Sequence, residues 1–257
     1  MVADVSAFYL IRVGERTFVR QGMPAKVATT VMHGMKASEP NNDVRDADER
    51  RLQADIEALF RTLMPDIAAM LAKGQMPTDK ELADALVAVL RPVLVDTAIN
   101  EFERQAATIG VQFDPALINQ RMVEWAQSYT YRLVSDLNKN TLETLRAAMT
   151  QYASTPGMTR GELEALLSPA FGPARAESIA VTEVTRAYST AQHAYQVELN
   201  EHYGITMERV WQTLKDEKVC PLCGPLDGKP ESEWGDIEEP PAHPRCRCSV
   251  TLRSVRD

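Results

Sequence analysis

From Met1 to Val219 the chain has no cysteine, and histidine is scarce throughout, with four in 257 residues. A disulfide framework is thereby excluded for most of the chain, whose length allows a buried core without such staples. Long apolar runs are missing too. Phe8-Tyr9-Leu10-Ile11 is the most apolar run near the start, far short of the ~20 residues of a membrane-spanning helix. No basic segment precedes it and no small-residue cleavage site follows it, so no membrane association and a cytoplasmic, non-secreted chain are expected. An excess of positive charge is absent as well. The net charge is -8 and the pI near 5.2, with 44% hydrophobic and 25% charged residues. That balance argues against coating nucleic acid by bulk electrostatics and leaves room only for a local basic patch. The chain carries no phosphate-binding glycine loop, no G-x-S-x-G elbow and no H-E-x-x-H, its histidines being scattered at positions 33, 193, 202 and 243. No catalytic residue is assigned.

What is present is helical periodicity. The first ~45 residues are mixed and end in the polar run "SEPNNDVRDADE", which reads as a linker; they suit either a small helical subdomain or an arm that docks on a partner. From Arg50 apolar residues recur at steps of three and four: Leu52, Ile56, Leu59, Phe60, Leu63, Ile67, Met70 and Leu71, up to Gly74. A second stretch, Leu82 to Phe102, is interrupted by Pro92, which is expected to kink or divide it. A third opens at Asp114-Pro115 and runs through Ile118, Met122, Trp125, Tyr129, Leu133, Leu137, Leu142, Leu145 and Met149 to the break at Thr155-Pro156-Gly157. These Met, Trp and Tyr residues read as packing core, not as cofactor contacts. Thr159 and Glu162 have the spacing of a capping box. Gly172-Pro173 then opens a long helix whose face is built from Ala176, Ala180, Ala187, Ala191 and Ala194, so that another backbone can approach closely. Glu183 falls on or beside that face with Arg186 three positions on, and the pair reads as a structural brace.

Past Gly204 the period changes to two. "ITMERVWQTL" and "CSVTL" read as strands, with Ile205, Met207 and Trp211 facing one way. Between them lies a long, proline-rich, acidic loop that needs something other than a large core to hold it. It contains the soft ligands. Cys220-Pro221-Leu222-Cys223-Gly224 has the form of a zinc knuckle, with Gly224 expected to take a positive φ in the tight turn. His243, Cys246 and Cys248 follow as H-x2-C-x-C, giving five candidates for the four positions of a structural zinc ion. A disulfide pair or free thiols is the competing reading, and a thiolate-rich ion offers little Lewis acidity for catalysis. Arg245 and Arg247 stand among the last cysteines as candidate phosphate contacts. The fold class read from this pattern is mainly α: long helices in the amino-terminal and middle parts, then a small α+β carboxy-terminal module with a short sheet and the Cys/His site.

The segments "RAESIAVTEVTRAYSTAQ", "WQTLKDEKVCPLCGPLDGKP" and "PPAHPRCRCSVTL" resemble, in order and spacing, the phage Mu F-like minor head proteins, or head morphogenesis proteins, from Met158 onward. Val181 departs from the family, which usually has arginine before Thr-Glu. The sequence pattern divides the rest into an arm or linker over 1–48 and a helical domain over 49–156, and the resemblance implies a non-enzymatic Mu F-like head morphogenesis domain over 157–257. It implies a minor capsid protein of a tailed phage or prophage, inside the head at the portal, acting in procapsid assembly, DNA packaging or ejection. Its implied partners are the portal protein and major capsid or scaffolding protein, with DNA contact incidental. A zinc-stabilised nucleic-acid-binding module of a mobile element is the alternative, and a hydrolase or transferase dependent on Glu183 a weaker third.

Overall fold

The computed structural model describes residues 8–13, 16–21, 42–109, 115–203, 205–237 and 239–254. Two strands, β1 (Phe8–Val13) and β2 (Arg16–Gln21), pair antiparallel. The helices follow: α1 (Asn42–Ala72), α2 (Asp79–Ile109), α3 (Pro115–Ser154), the short α4 (Arg160–Leu166) and α5 (Ser168–Phe171), and α6 (Pro173–Tyr203). A second antiparallel pair, β3 (Met207–Gln212) and β4 (Ser249–Ser254), closes the described chain, so the mainly helical class with a small carboxy-terminal sheet is what the sequence pattern predicts. The hairpin at β1 and β2 differs from the helical subdomain entertained for this region. Helix α1 begins at Asn42, inside the run read as a linker. The polar residues there misled because a solvated helix face carries the same composition as a loop.

The chain forms two compact units whose boundaries fall inside α2, α3 and α6. One, the helical unit, comprises Asn42–Asp96 and Val123–Val184. Its core is Leu52, Ile56, Phe60, Ile67 and Leu71 of α1, Leu82, Leu86, Leu90, Val93 and Leu94 of α2, and Ala176, Ile179 and Ala180 of α6, all buried. Phe60 meets Phe171 edge to face at 5.4 Å, a geometry favoured by the ring quadrupole. Helix α2 runs unbroken through Pro92. Pro92 is exposed while Val93 and Leu94 are buried, so the carbonyl that loses its amide partner faces water and the apolar face keeps the helix whole.

The buried line of α3 within this unit also differs from the periodic set. It runs through Ala126, Thr130, Val134, Asn138, Thr141 and Leu145, while Trp125, Tyr129, Leu133, Leu137 and Leu142 flank it half-buried. Leu145 of the periodic set is buried as expected, and the small Ala126 and Thr130 on the same line let neighbouring backbones approach. Asn138 donates Nδ2 to the backbone oxygen and Oδ1 of Asp79, at 3.0 and 2.9 Å.

The capping box at α4 is formed as the spacing predicts, Thr159 Oγ1 accepting from the Glu162 amide and Glu162 Oε2 accepting from the Thr159 amide at 2.7 Å. The Thr159 amide and hydroxyl hold the Glu162 carboxyl below its ordinary value, against a small opposing effect of burial. A depressed folded pKa contributes stability above the unfolded value of about 4.3 and loses it as pH falls through the folded value. The stability advantage of the wild type over Glu162→Gln in urea unfolding is therefore expected in full at neutral pH and to vanish in acid; a difference independent of pH would refute the assignment.

Candidate metal centre

The second unit, with strands β3 and β4, is described through the hairpin β1–β2, Thr97–Met122 of the helices, and the described residues from Thr185 on. Its organising helix is the latter part of α6. Glu101, 2% exposed, accepts from Arg104 Nε (2.7 Å) and Nη2 (2.8 Å), from Gln105 Nε2 (2.9 Å) and from Gln192 Nε2 (3.2 Å). Gln192 turns its Oε1 to the Val250 amide at 3.2 Å, and Thr185 donates its hydroxyl to the Cys246 carbonyl at 2.8 Å. The Val250 amide of β4 and the Cys246 carbonyl ahead of it are thus satisfied by α6, which fixes the segment leading out of the cysteines.

The long acidic loop has a small core of its own: Trp211, Cys223, Leu226, Trp234, Cys246, Cys248 and Val250 are buried together. Trp211 and Trp234 meet edge to face at 5.2 Å, and the Trp234 indole donates to the Lys229 carbonyl at 2.9 Å. Leu226-Asp227-Gly228-Lys229-Pro230 lies along β3, with the Trp211 amide donating to Lys229 (2.9 Å) and the Gly228 amide donating to Trp211 (2.8 Å). Gly228 makes that turn at φ 76°, where a side chain would be strained. Asp227 Oδ1 accepts from the amide and hydroxyl of Thr213 at 2.9 and 3.0 Å. Arg209, only 4% exposed, pairs with Glu231 at 2.7 Å and with Glu239, and sits 5.4 Å from the Trp234 ring centroid. Two of the acidic side chains of the loop are therefore held by one guanidinium fork.

Sequence reasoning missed Arg209, although a signal was present. Position 209 shares the face of Ile205, Met207 and Trp211 by two-residue alternation, and an arginine on a buried face requires acidic partners.

All five predicted ligands come together. Cys220, Cys223 and His243 form one group with donor atoms within 4.8 Å of one another, and Cys223, Cys246 and Cys248 form a second. His243 Nε2 lies 3.0 Å from Cys220 Sγ and 3.4 Å from Cys223 Sγ, and Cys223 and Cys246 are 3.8 Å apart sulfur to sulfur. Around a tetrahedral ion with metal–sulfur bonds of about 2.3 Å, neighbouring sulfurs stand ~3.8 Å apart, so the donor set fits a thiolate-binding ion. Backbone turns build it: the Gly224 amide donates to the Cys220 carbonyl at 3.0 Å and the Cys246 amide to the His243 carbonyl at 3.1 Å. Gly224 is not among the positive-φ residues; that conformation falls on Arg245, φ 62°, in the second turn. The first turn closes into a single turn of 3-10 helix from Gly224, which requires no left-handed residue.

Sulfurs this close oppose one another's ionisation. The Cys246 thiol is drawn down to about 5 by hydrogen bonding from the Cys248 side chain, burial opposing, with the Cys248 and Ala242 backbone assisting. Burial and then the Cys246 charge push Cys223 up, whereas hydrogen bonding to Cys246 and then burial push Cys248 up. Burial would raise Cys220, but hydrogen bonds from Cys223 outweigh it and hold it down. Burial would lower His243, and the Pro244 carbonyl with the nearby sulfurs raises it. A cation among these groups would favour every ionised thiol at once, the electrostatic reason such a cluster suits a metal.

The remaining predicted residues lie elsewhere. Glu183, 3% exposed in the helical unit, accepts from the Tyr129 hydroxyl at 2.7 Å, a partner the sequence did not point to. Arg186, in the strand-bearing unit, donates to the Pro241 carbonyl at 3.4 Å, close in sequence to His243. Arg245 is exposed at the tip of its turn and Arg247 is half-buried.

Residues 142–251 match the family model described as Phage Mu protein F like protein. This part of the chain is Phage Mu F-like. The match starts within α3, sixteen residues before the Met158 boundary read from the motifs, and spans both cysteine turns. No curated protein and no solved structure matches the chain significantly. Membership of this family suggests a phage head morphogenesis protein. Among the described residues no helix is long and apolar enough to cross a membrane.

Replacing Arg209 by Ala removes two charge-assisted hydrogen bonds and a packed side chain and is expected to cost about 2–4 kcal/mol. Hydrogen exchange should show lost protection over Lys229–Glu239 with the helices intact, and Arg209→Lys should restore little, since ammonium lacks the fork. Unchanged protection in Arg209→Ala would remove this residue from the account.

Proposed function

We propose that the protein is a minor capsid component of a tailed phage or prophage that acts at the portal inside the head, in procapsid assembly, DNA packaging or ejection, and is not an enzyme. The match of residues 142–251 to the Phage Mu F-like family carries this reading. On it, the Cys/His cluster binds structural zinc, chosen because thiolate and imidazole donors favour it over oxygen-preferring cations. Closure of the acidic loop by a metal contributes folding energy to a module with little apolar core. Glu183 and Arg186 serve as braces of α6. The negative net charge argues for protein partners over DNA, with Arg245 and Arg247 confined to incidental phosphate contact.

Purified full-length protein is expected to contain about one zinc per chain, and Cys220→Ser with Cys223→Ser to lose it together with carboxy-terminal order in circular dichroism. A metal-free protein whose double variant folds as before would end the zinc reading. Co-expressed with its cognate portal protein, the chain should co-sediment with portal rings at salt that dissociates DNA; sedimentation with DNA alone would favour a nucleic-acid-binding module.

A further inference from the structure

We propose that the helical unit carries a docking cleft for a partner protein, in which the Arg175 guanidinium binds the carboxylate of an acidic residue and apolar walls take the aliphatic side chain next to it. Binding there depends neither on a metal at the cysteine turns nor on the portal being the partner.

Every residue lining the cleft belongs to the helical unit. The edge-to-face rings of Phe60 and Phe171 and the half-buried Leu137 form apolar walls, and Asn138, Thr141 and Arg175 are the polar residues set among them. The cleft contains about 310 Å³ of space not filled by atoms, partly open to solvent, yet it is wide enough for only about one water molecule. Space of that shape suits a side-chain tip entering from outside, and not a small molecule enclosed on all sides.

Two polar groups of the cleft lack partners. Arg175, half-buried in the first turn of α6, makes no ion pair or side-chain hydrogen bond among the described residues. Burial alone acts on it and lowers its pKa from the ordinary arginine value, with no carboxylate opposing. A partly desolvated cation keeps that cost until an anion joins it. Asn138, 1% exposed, turns Nδ2 to two oxygens of Asp79, which fixes the orientation of the amide and leaves Oδ1 as a buried acceptor with no donor. Thr141 gives its proton to the Leu137 carbonyl at 2.9 Å, so in the cleft it can only accept.

The cleft thus offers one cationic donor and two neutral acceptors. An acidic peptide segment complements all of these: its carboxylate pairs with Arg175, its main-chain amides supply protons to Asn138 and Thr141, and a neighbouring aliphatic side chain covers the phenyl rings. A phosphodiester brings only acceptors and would set them against the two oxygens. Charge and hydrogen-bond complementarity therefore select a protein segment over nucleic acid.

The test is a nuclear magnetic resonance titration of the isotope-labelled full-length chain with acetyl-Leu-Glu-Leu-amide. The Asn138 side-chain amide signal, identified by its loss in Asn138→Ser, should shift saturably. Replacing the probe by acetyl-Leu-Gln-Leu-amide, or the protein by Arg175→Gln, should weaken binding about ten- to a hundredfold, the range of a charge-assisted hydrogen bond. Arg175→Gln should also keep or raise the thermal midpoint, because it removes a half-buried charge that has no counter-ion. A lowered midpoint would reveal a structural partner for the guanidinium and overturn the proposal. So would equal binding of the two peptides, an equal shift with inorganic phosphate, or no shift with the Glu peptide at about 10 mM, roughly tenfold above a millimolar Kd. None of these readouts involves zinc or portal protein, so failure here is distinct from failure of the reading above.

Discussion

The strand-bearing unit depends on holding the turn at Cys220–Cys223 against the turn at His243–Cys246, across a separation of 23 residues between Cys223 and Cys246. Closing a loop of that length costs chain entropy that grows only slowly with length, but the loop offers little apolar surface to offset it. A cation held by the soft donors would supply the missing free energy, since binding to a folded site that the unfolded chain lacks is folding free energy. The remaining features of the unit orient the two turns so that this can happen.

Those features act from three directions. Helix α6 reaches the second turn through Thr185 at the Cys246 carbonyl and β4 through Gln192 at the Val250 amide, and Gln192 is itself positioned by the buried Glu101. Strand β3 contributes Trp211 beneath the sulfurs and Arg209 beneath the acidic residues. The Leu226–Pro230 segment lies along β3, locked by Asp227 on Thr213.

Much of this was legible in the sequence. The helix starting at Pro115, the Thr159–Glu162 cap, the opening of α6 at Pro173 and the two strands around the cysteines all follow from local rules about proline, capping and period, which act over a few residues. The five donor residues were legible for the same reason, as soft ligands at ligand spacing inside one loop. The errors are of another kind. Pro92 did not divide α2, Gly224 did not need a positive φ, α1 began within a polar run, and α3 buried Ala126, Thr130 and Asn138 where Trp125, Tyr129, Leu133 and Leu137 were expected, while Ile118, Met122 and Leu145 were buried as expected.

By itself, then, the sequence determined the mainly helical class, the punctuation of the helices and the identity of the soft donors, because these depend on side-chain chemistry and on interactions within a turn or two. Only the tertiary structure decided that Arg209 binds the acidic loop, that Tyr129 meets Glu183, and that His243 stands between two sulfurs. Those pairings join residues far apart along the chain. Spacing carries no information about which of several suitable partners packing will bring within about 3 Å, the range over which a hydrogen bond is made.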